Sequence, residues 1–412
     1  MAKTITLPSD WKTAKFKMMF DRLTRKNRDE NSNVLTISAY YGLISQEEFF
    51  NKSVASEDLS GYYLLKRGDF VYNKSYSAGY NFGAFKQLTH YDSGVVSPLY
   101  ICFTPSASNK CPEFYVQIFE SMLLDREIKT FAQEGARNHG LLNIAVDDFF
   151  SMPIPVPPLA EQRRIAEILA AQDSRIALKQ RLIDAKKQQK RWLMQNLLTG
   201  KVRLPGFSDE WKQVRLGDIG KWRKGSGISK EEARSGSIPA IRYGELYTVH
   251  DEYIKQFHSF ISEDVAEYSV KLRQGDVLFT CSGETKEEIG KSAAFLDDCV
   301  AFAGGDLIIL SPDSICQSKF LGYALNSYSI AKQKARFGQG DSIVHISAES
   351  LKKIVFGLPS FSEQTAIAER LTTADREIEL LARELTQQKL VKKYLMQQLL
   401  TGKTRVKEES TV

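Results

Sequence analysis

Glu161-Gln162-Arg163-Arg164-Ile165-Ala166-Glu167 opens a block that closes on Leu197-Leu198-Thr199-Gly200-Lys201. The block returns as Glu363-Gln364-Thr365-Ala366-Ile367-Ala368-Glu369, closing on Leu399-Leu400-Thr401-Gly402-Lys403. Matched residues lie 202 positions apart at both ends of the block, so nothing is inserted or deleted between the copies. A helix that only filled space would not need that register. The repeat implies a molecule built as two matched halves.

Within each copy the apolar residues fall on steps of three and four, or sums of these. They are Ile165, Leu169, Ile176, Ile183, Leu193 and Leu197 in the first copy, and Ile367, Leu371, Ile378, Leu385, Leu395 and Leu399 in the second. That spacing predicts the seam of a long coiled-coil helix. Lys179, Lys186 and Lys190 interrupt it in one copy, and Gln388 and Lys392 in the other. Such breaks fix register or leave room for another helix. Pro153-Ile154-Pro155-Val156-Pro157-Pro158 and Leu358-Pro359 force an extended lead-in, and Thr-Gly closes each block. Each helix is expected to run roughly 35 residues, or about 50 Å. Helices of that length pair, and an antiparallel pair would carry the intervening segments at opposite ends.

Those intervening segments repeat more faintly. Leu65-Lys66-Arg67-Gly68-Asp69-Phe70 matches Leu272-Arg273-Gln274-Gly275-Asp276-Val277, and the same spacing matches Gly83 with Gly290 and Pro105 with Pro312. Short apolar runs (Phe70–Tyr72, Val277–Phe279, Leu307–Leu310) read as strands, and Phe114–Leu124 and Phe320–Lys334 as helices. The expected fold class is α+β: two pseudo-symmetric α+β domains separated by a pair of long antiparallel coiled-coil helices. The expected division is 1–157 for the first domain, 158–203 for the central helix, 204–358 for the second domain and 359–405 for the C-terminal helix. Residues 406–412 are expected to form a disordered tail.

A chain of 412 residues suits more than one core. Its apolar fraction of 42% and charged fraction of 26% are those of a globular protein. The net charge of +6 permits a polyanionic partner without requiring one. Cys102, Cys111, Cys281, Cys299 and Cys316 are odd in number and lack C-x-x-C spacing, which points to reduced thiols rather than disulfides or zinc. No apolar run approaches a membrane span and no signal core opens the chain. A cytoplasmic protein without a membrane partner is expected.

The motifs of catalysis are missing. H-E-x-x-H, G-x-S-x-G, paired C-x-x-C and the Asn/Asp-Pro-Pro-Tyr/Phe loop of amino-methyltransferases do not occur. Gly283 to Ser292 imitates a phosphate loop, but six residues separate its glycines where four are needed. No catalytic, cofactor-binding or metal-ligating residue is expected in the chain.

Several loops mix basic, aromatic and small polar residues, the side chains that meet phosphates and base edges. The candidate DNA contacts are Lys74, Tyr76, Tyr80, Asn81, Lys224, Ser226, Lys230, Arg242, Tyr243, Lys286 and Lys291. Two related domains with unlike loops would read two unlike sequences.

The layout resembles the specificity subunit of a type I restriction–modification enzyme. The resemblance rests on Pro157-Pro158-Leu159-Ala160-Glu161-Gln162 and Pro359-Ser360-Phe361-Ser362-Glu363-Gln364, and on the closures Leu193-Met194-Gln195 to Gly200 and Leu395-Met396-Gln397 to Gly402. It rests also on Leu204-Pro205-Gly206-Phe207 through Trp211, followed by Leu216-Gly217-Asp218. It covers nearly the whole chain. In the first domain the opening is shortened to Leu7-Pro8-Ser9-Asp10-Trp11, with no Leu-Gly-Asp after it.

The resemblance implies that each domain is a target-recognition domain for one half of a bipartite, asymmetric site on double-stranded DNA. The helices would act as a ruler and dock two modification subunits, which perform N6-adenine methylation with S-adenosylmethionine. Two restriction subunits could add translocation and cleavage driven by ATP with Mg2+, a phage defence. The docking candidates are Pro157, Pro158, Glu161, Gln162, Leu193 and Leu197, with Pro359, Glu363, Gln364, Leu395 and Leu399. About 50 Å of helix corresponds to about 15 base pairs, which accommodates two short half-sites and a gap. The contrasting expectation is a structural coiled-coil adaptor whose domains bind proteins.

Overall fold

The computed structural model describes residues 7–38, 42–50, 56, 58–75, 79–134 and 142–406. The long helices are Leu159–Leu197 and Phe361–Leu399, 39 residues each and somewhat longer than the spacing predicted. They start right after the prolines. They stop before Thr-Gly because Gly200 and Gly402 both take φ of +69°, a left-handed conformation that ends a helix. The N–H groups of Val202 and Thr404 then bond back to the carbonyls of Asn196 and Gln398.

The chain forms two compact units, 1–179 with 384–412, and 180–383. The division therefore runs through the long helices instead of at their ends. Each unit holds one mixed domain, the start of one long helix and the end of the other.

In the first unit a four-stranded antiparallel sheet runs Phe20–Arg22, Ile101–Pro105, Phe70–Asn73, Ala84–Gln87. Its core is aromatic: Phe16 stacks on Phe20 at 4.7 Å and Phe70 on Phe103 at 5.4 Å, with Phe119 and Phe149 against them. The helices Pro112–Glu120, Asp125–Phe131 and Val146–Ser151 supply these last rings and their neighbours. Lys12–Lys15 pairs with Pro153–Val156 just before the long helix. Proline cannot donate to a ladder, so this lead-in is confined to a two-stranded ribbon.

The second unit repeats the plan. Its sheet runs Gly220–Lys224, Leu307–Pro312, Val277–Thr280, Ser292–Ala294, and Lys212–Arg215 pairs with Val355–Leu358. The two ribbons correspond although Leu216–Asp218 is a 3-10 turn where the first unit has the helix Phe16–Met19. A second sheet, Ser259–Ile261, Ile238–Ile241, Phe302–Ala303, Val270–Lys271, includes one parallel pairing, Ala240 with Phe302. The helix expected over Phe320–Lys334 is two, Ser318–Ala324 and Tyr328–Phe337.

The faint repeat corresponds to one turn built twice. Gly68 and Gly275 sit at φ of +96° and +91°. The following Asp69 and Asp276 accept the N–H of Lys66 and Arg273, each at 2.8 Å. Arg25 and Arg223 then neutralise these buried carboxylates.

Within each unit the long helices pair antiparallel. In the first, Ile165 and Leu169 share a core with Met396, Leu399 and Leu400. Gln172 Nε2 donates to Gln388 Oε1 at 2.7 Å, Lys392 meets Asp173 at 2.5 Å and Lys179 meets Glu384 at 2.6 Å. In the second, Leu197 and Leu198 pack with Ile367, Ala368 and Leu371, while Lys186 meets Glu377 at 2.7 Å and Lys190 meets Asp375 at 2.6 Å. Burial of each such leucine contributes roughly 1.5–3 kcal/mol. The polar breaks in the seam are thus the cross-helix bonds themselves.

Candidate nucleic-acid interface

In the second domain, Lys224 ends the edge strand Gly220–Lys224 and opens a loop through Ser226 to Lys230, all three exposed. The loop lies on the backbone of Gly304–Gly305: Gly305 donates to the Gly227 carbonyl at 2.7 Å. A Cβ on Gly225 would sit 2.0 Å from the Gly304 oxygen, so the loop can approach that backbone only as glycine at 225. Gly304 also donates to the Ile241 carbonyl at 2.9 Å, which brings Arg242 and Tyr243 to the same end of the domain. Five of the expected contacts, Lys224, Ser226, Lys230, Arg242 and Tyr243, therefore gather around one glycine crossing.

Other candidates fall elsewhere. Lys291 lines a cavity of about 270 Å³ with Asp251, Glu252, Glu287 and Glu288. Those carboxylates repel phosphate and set Lys291 apart from the gathered basic residues. Lys286 is exposed on the loop between the same two glutamates and Glu284. The phosphate-loop imitation ends on Gly290 at φ of +71° and continues into the strand Ser292–Ala294. No helix N-terminus stands there to receive a phosphate.

In the first domain Asn81 is exposed and Lys74 half-buried, its carbonyl taken by the Leu142 N–H at 3.0 Å. Tyr80 is a correction. Its ring lies under the Lys86 ammonium at 5.2 Å, and its hydroxyl meets Glu120 at 3.3 Å. Burial, then the Glu120 charge, pushes its hydroxyl above the usual tyrosine value. Lys86 in turn meets Glu120 at 2.6 Å; burial opposes its charge, but Glu120 prevails and raises its pKa. Tyr80 is committed to packing. Tyr76 lies outside the described residues, as do 407–412 of the expected tail.

The docking candidates also need correction. Glu161 and Glu363 are 5% and 1% exposed. Glu161 accepts Trp11 Nε1 at 2.9 Å and two Arg405 nitrogens at 2.8 Å; Glu363 accepts Trp211 Nε1 at 3.1 Å and Arg203 at 2.6 and 2.7 Å. Burial disfavours the Glu161 charge, but Arg405 and Trp11 outweigh it and hold the carboxyl below the ordinary value. Gln162 and Gln364 close on the carbonyls of Pro157 and Pro359 at 2.8 and 2.9 Å. Leu197 and Leu399 are core residues, and Pro157 and Pro359 are buried. These eight side chains clasp the chain to itself. Of the candidates only Pro158 is exposed, with Leu193 and Leu395 half-buried.

The helices do present other residues outward, and these also repeat. Leu178 and Leu380 are equivalent in the two copies, as are Trp192 and Tyr394, and all four are more than half exposed. Arg203 and Arg405 extend the repeat at the same spacing of 202, which is the sequence signal for the clasp.

Cys102, Cys111 and Cys316 are buried, Cys281 half-buried and Cys299 exposed, all as free thiols. Burial pushes the Cys102 thiol up to about 12 and that of Cys316 to about 11. Among the described residues no cluster of His, Cys, Asp or Glu is arranged to hold a metal ion, and no helix is long and apolar enough to cross a membrane.

Two copies of one frame with unlike loops match a known pattern. The Type I restriction modification DNA specificity domain matches the chain twice, over residues 8–187 and 208–389. The chain belongs to this family. It is 26% identical over 298 residues to the type I restriction enzyme MjaVIII specificity subunit of Methanocaldococcus jannaschii, covering 68% of each chain. It is 27% identical over 320 residues to the putative MjaX specificity subunit of the same organism, covering 73% of this chain and 70% of the other.

Solved structures share the fold. A chain from work on complex assembly and conformational transition of the type I R-M system superposes with a TM-score of 0.59 at 17% identity, covering 97% of this chain and all of the other. The S subunit of a type I restriction–modification system from M. genitalium superposes with 0.56 at 15% identity, covering 96% and 97%. The specificity-subunit family implies DNA and the other subunits of such a system as partners. It supports the DNA-specificity function and not the protein-binding adaptor.

Proposed function

We propose that each mixed domain reads one half of a bipartite, asymmetric DNA site while the paired helices set the distance between the halves. The observation that carries this reading is the constancy of the frame against the divergence of the loops. Helix length, cross-helix pairing and the buried Glu–Arg–Trp clasp are kept in both copies, whereas the loop 74–82 of the first domain and its counterpart 281–289 share only a serine, Ser75 with Ser282. A reader of two unlike half-sites needs that division.

Two modification subunits, one per half, dock on the helices and perform N6-adenine methylation with S-adenosylmethionine. The matched exposed pairs Leu178/Leu380 and Trp192/Tyr394 support a stoichiometry of two, because a repeated patch suits two copies of one partner. Restriction subunits using ATP and Mg2+ add cleavage. The chain itself is non-catalytic and works in the cytoplasm, where the DNA is. The test is methyl transfer to duplex DNA by the chain and the modification subunit, separately and mixed. Site-specific transfer only in the mixture supports the reading; transfer by this chain alone overturns it.

A further inference from the structure

Gly338-Gln339-Gly340-Asp341-Ser342-Ile343-Val344-His345 follows the helix Tyr328–Phe337 and was not among the residues expected to touch DNA. It folds as a projecting hairpin. Gln339 and His345 exchange both backbone hydrogen bonds, at 2.9 and 2.8 Å, and close over residues 340–344. Gly340 sits at φ of +107°, where a Cβ would lie 2.1 Å from the Ile343 oxygen, so the tight tip requires glycine. Val344 is buried, and Ser282-Gly283 pairs with Val344-His345, so the base of the hairpin is anchored.

From Gln339 on, every residue of it but Val344 is exposed. Gln339, Asp341, Ser342 and His345 are exposed, and Ile343 is 59% exposed at the tip. The Ser282 hydroxyl holds His345 Nδ1 at 3.0 Å, which leaves Nε2 for a ligand. Gln339 and His345 line a cleft of about 600 Å³ together with Trp222 and Lys224. Lys224 is one of the gathered basic residues, and Lys332 and Arg336 are exposed on the helix leading into the hairpin.

The first domain places a hairpin at the same point of its chain. Its helix Asp125–Phe131 is followed by Gln133-Glu134 pairing with Leu142-Asn143, Gln133 opposite Asn143. A glutamine thus opens both hairpins, while the sequences that follow it are unlike.

We infer that the 338–345 hairpin is a base-reading element of the second domain, and that it reads an A·T pair in the major groove of its half-site. This rests on the DNA-specificity reading above. A glutamine amide matches adenine N6 and N7 together, and an exposed aliphatic tip matches the thymine methyl group. Lys224, Lys332 and Arg336 supply phosphate contacts that seat the hairpin without reading sequence.

The test uses the full chain in complex with its modification subunit. Methylation is measured on the cognate duplex and on duplexes altered one base pair at a time, for Gln339→Ala and, separately, Ile343→Ala. Both positions are exposed, and an unchanged melting temperature confirms the fold. The expected result is loss of discrimination at one A·T pair of one half-site, by roughly 5- to 150-fold, with the other half-site read as before. Unchanged discrimination at every position, or an equal loss on all duplexes, overturns the assignment. Exchange of the whole second domain separates the two claims. If the exchange alters a half-site and the hairpin variants do not, only the hairpin assignment fails; if the exchange alters nothing, the DNA reading fails.

Discussion

Asp375 accepts the Lys190 ammonium at 2.6 Å, and the same pair recurs as Asp173 with Lys392 at 2.5 Å. The residues are identical in the two copies, but their surroundings are not. Beside Asp375, Glu252 also meets Lys190 at 2.8 Å and the Tyr323 hydroxyl donates to the second Asp375 oxygen. Beside Asp173 stands the Gln117 amide at 3.1 Å, and the Asp173 side chain is 42% exposed. In each unit a helix of the mixed domain, through Tyr323 or Gln117, grips the Asp–Lys pair of the long helices.

Removing the lysine should therefore cost unequal amounts. Lys190→Met leaves two buried carboxylates without a cation and should destabilise the second unit by about 3–5 kcal/mol. Lys392→Met leaves a carboxylate that water reaches and should cost about 1 kcal/mol or less. Urea unfolding of the two variants checks this. Equal costs would show that the surroundings do not matter.

The clasp predicts a dependence on acid. Glu161 has its pKa lowered in the folded chain, so the stability it contributes is present above the unfolded value and is lost as pH falls through the folded one. Arg405→Gln should lower the melting temperature at pH 7. The gap to the parent should narrow as pH falls below the unfolded glutamate value of about 4.3, and close once it has passed the lowered folded one. A gap that persists at low pH would place the effect in packing.

Lys334 predicts a slope of the same sign in a higher pH window. It is wholly buried, donates to the Gly290 carbonyl and has its pKa pushed down to about 7 by burial. Between about pH 7 and the ordinary lysine value the unfolded chain binds the extra proton, so stability rises with pH across that window. Lys334→Met should stabilise the second unit at pH 7 by roughly 1–3 kcal/mol, and the advantage should shrink toward pH 10. Thermal melts across that range would show it.

Docking should respond to the matched exposed residues. Trp192→Ala with Tyr394→Ala should weaken association with the modification subunit by at least about tenfold, since aromatic anchors dominate interfaces. The melting temperature should not move, because both side chains are exposed. Glu161→Gln should instead act through the fold.

The sequence made the frame legible because the helix repeat is local and exact in register: every polar break from Lys179 to Lys392 is visible along the chain. The partners of those breaks are not visible, since Asp375 meets Lys190 only once the helices run antiparallel. The second sheet of the second unit is not legible in the sequence because Val270–Lys271 and Phe302–Ala303 are two-residue strands without a period. Among the site residues, Lys224 and Arg242 are joined through Gly304, a contact set by tertiary packing that no local pattern shows. Tyr80 and Lys291 have the same composition signal, yet Glu120 and an acidic cavity claim them.

The ruler predicts a discrete change. One heptad added to both helices, after Lys179 and after Arg383, keeps the pairing in phase and lengthens each helix by about 10 Å, about three base pairs. The spacer should grow accordingly while both half-sites stay the same, as methylome sequencing would report. A heptad in one helix alone should abolish activity.

The most direct test replaces residues 204–358 with the corresponding domain of another family member and sequences the methylated sites in cells. The account predicts that one half of the recognised site changes while the other half and the spacer are retained. A site unchanged in both halves, or changed in both, would contradict it.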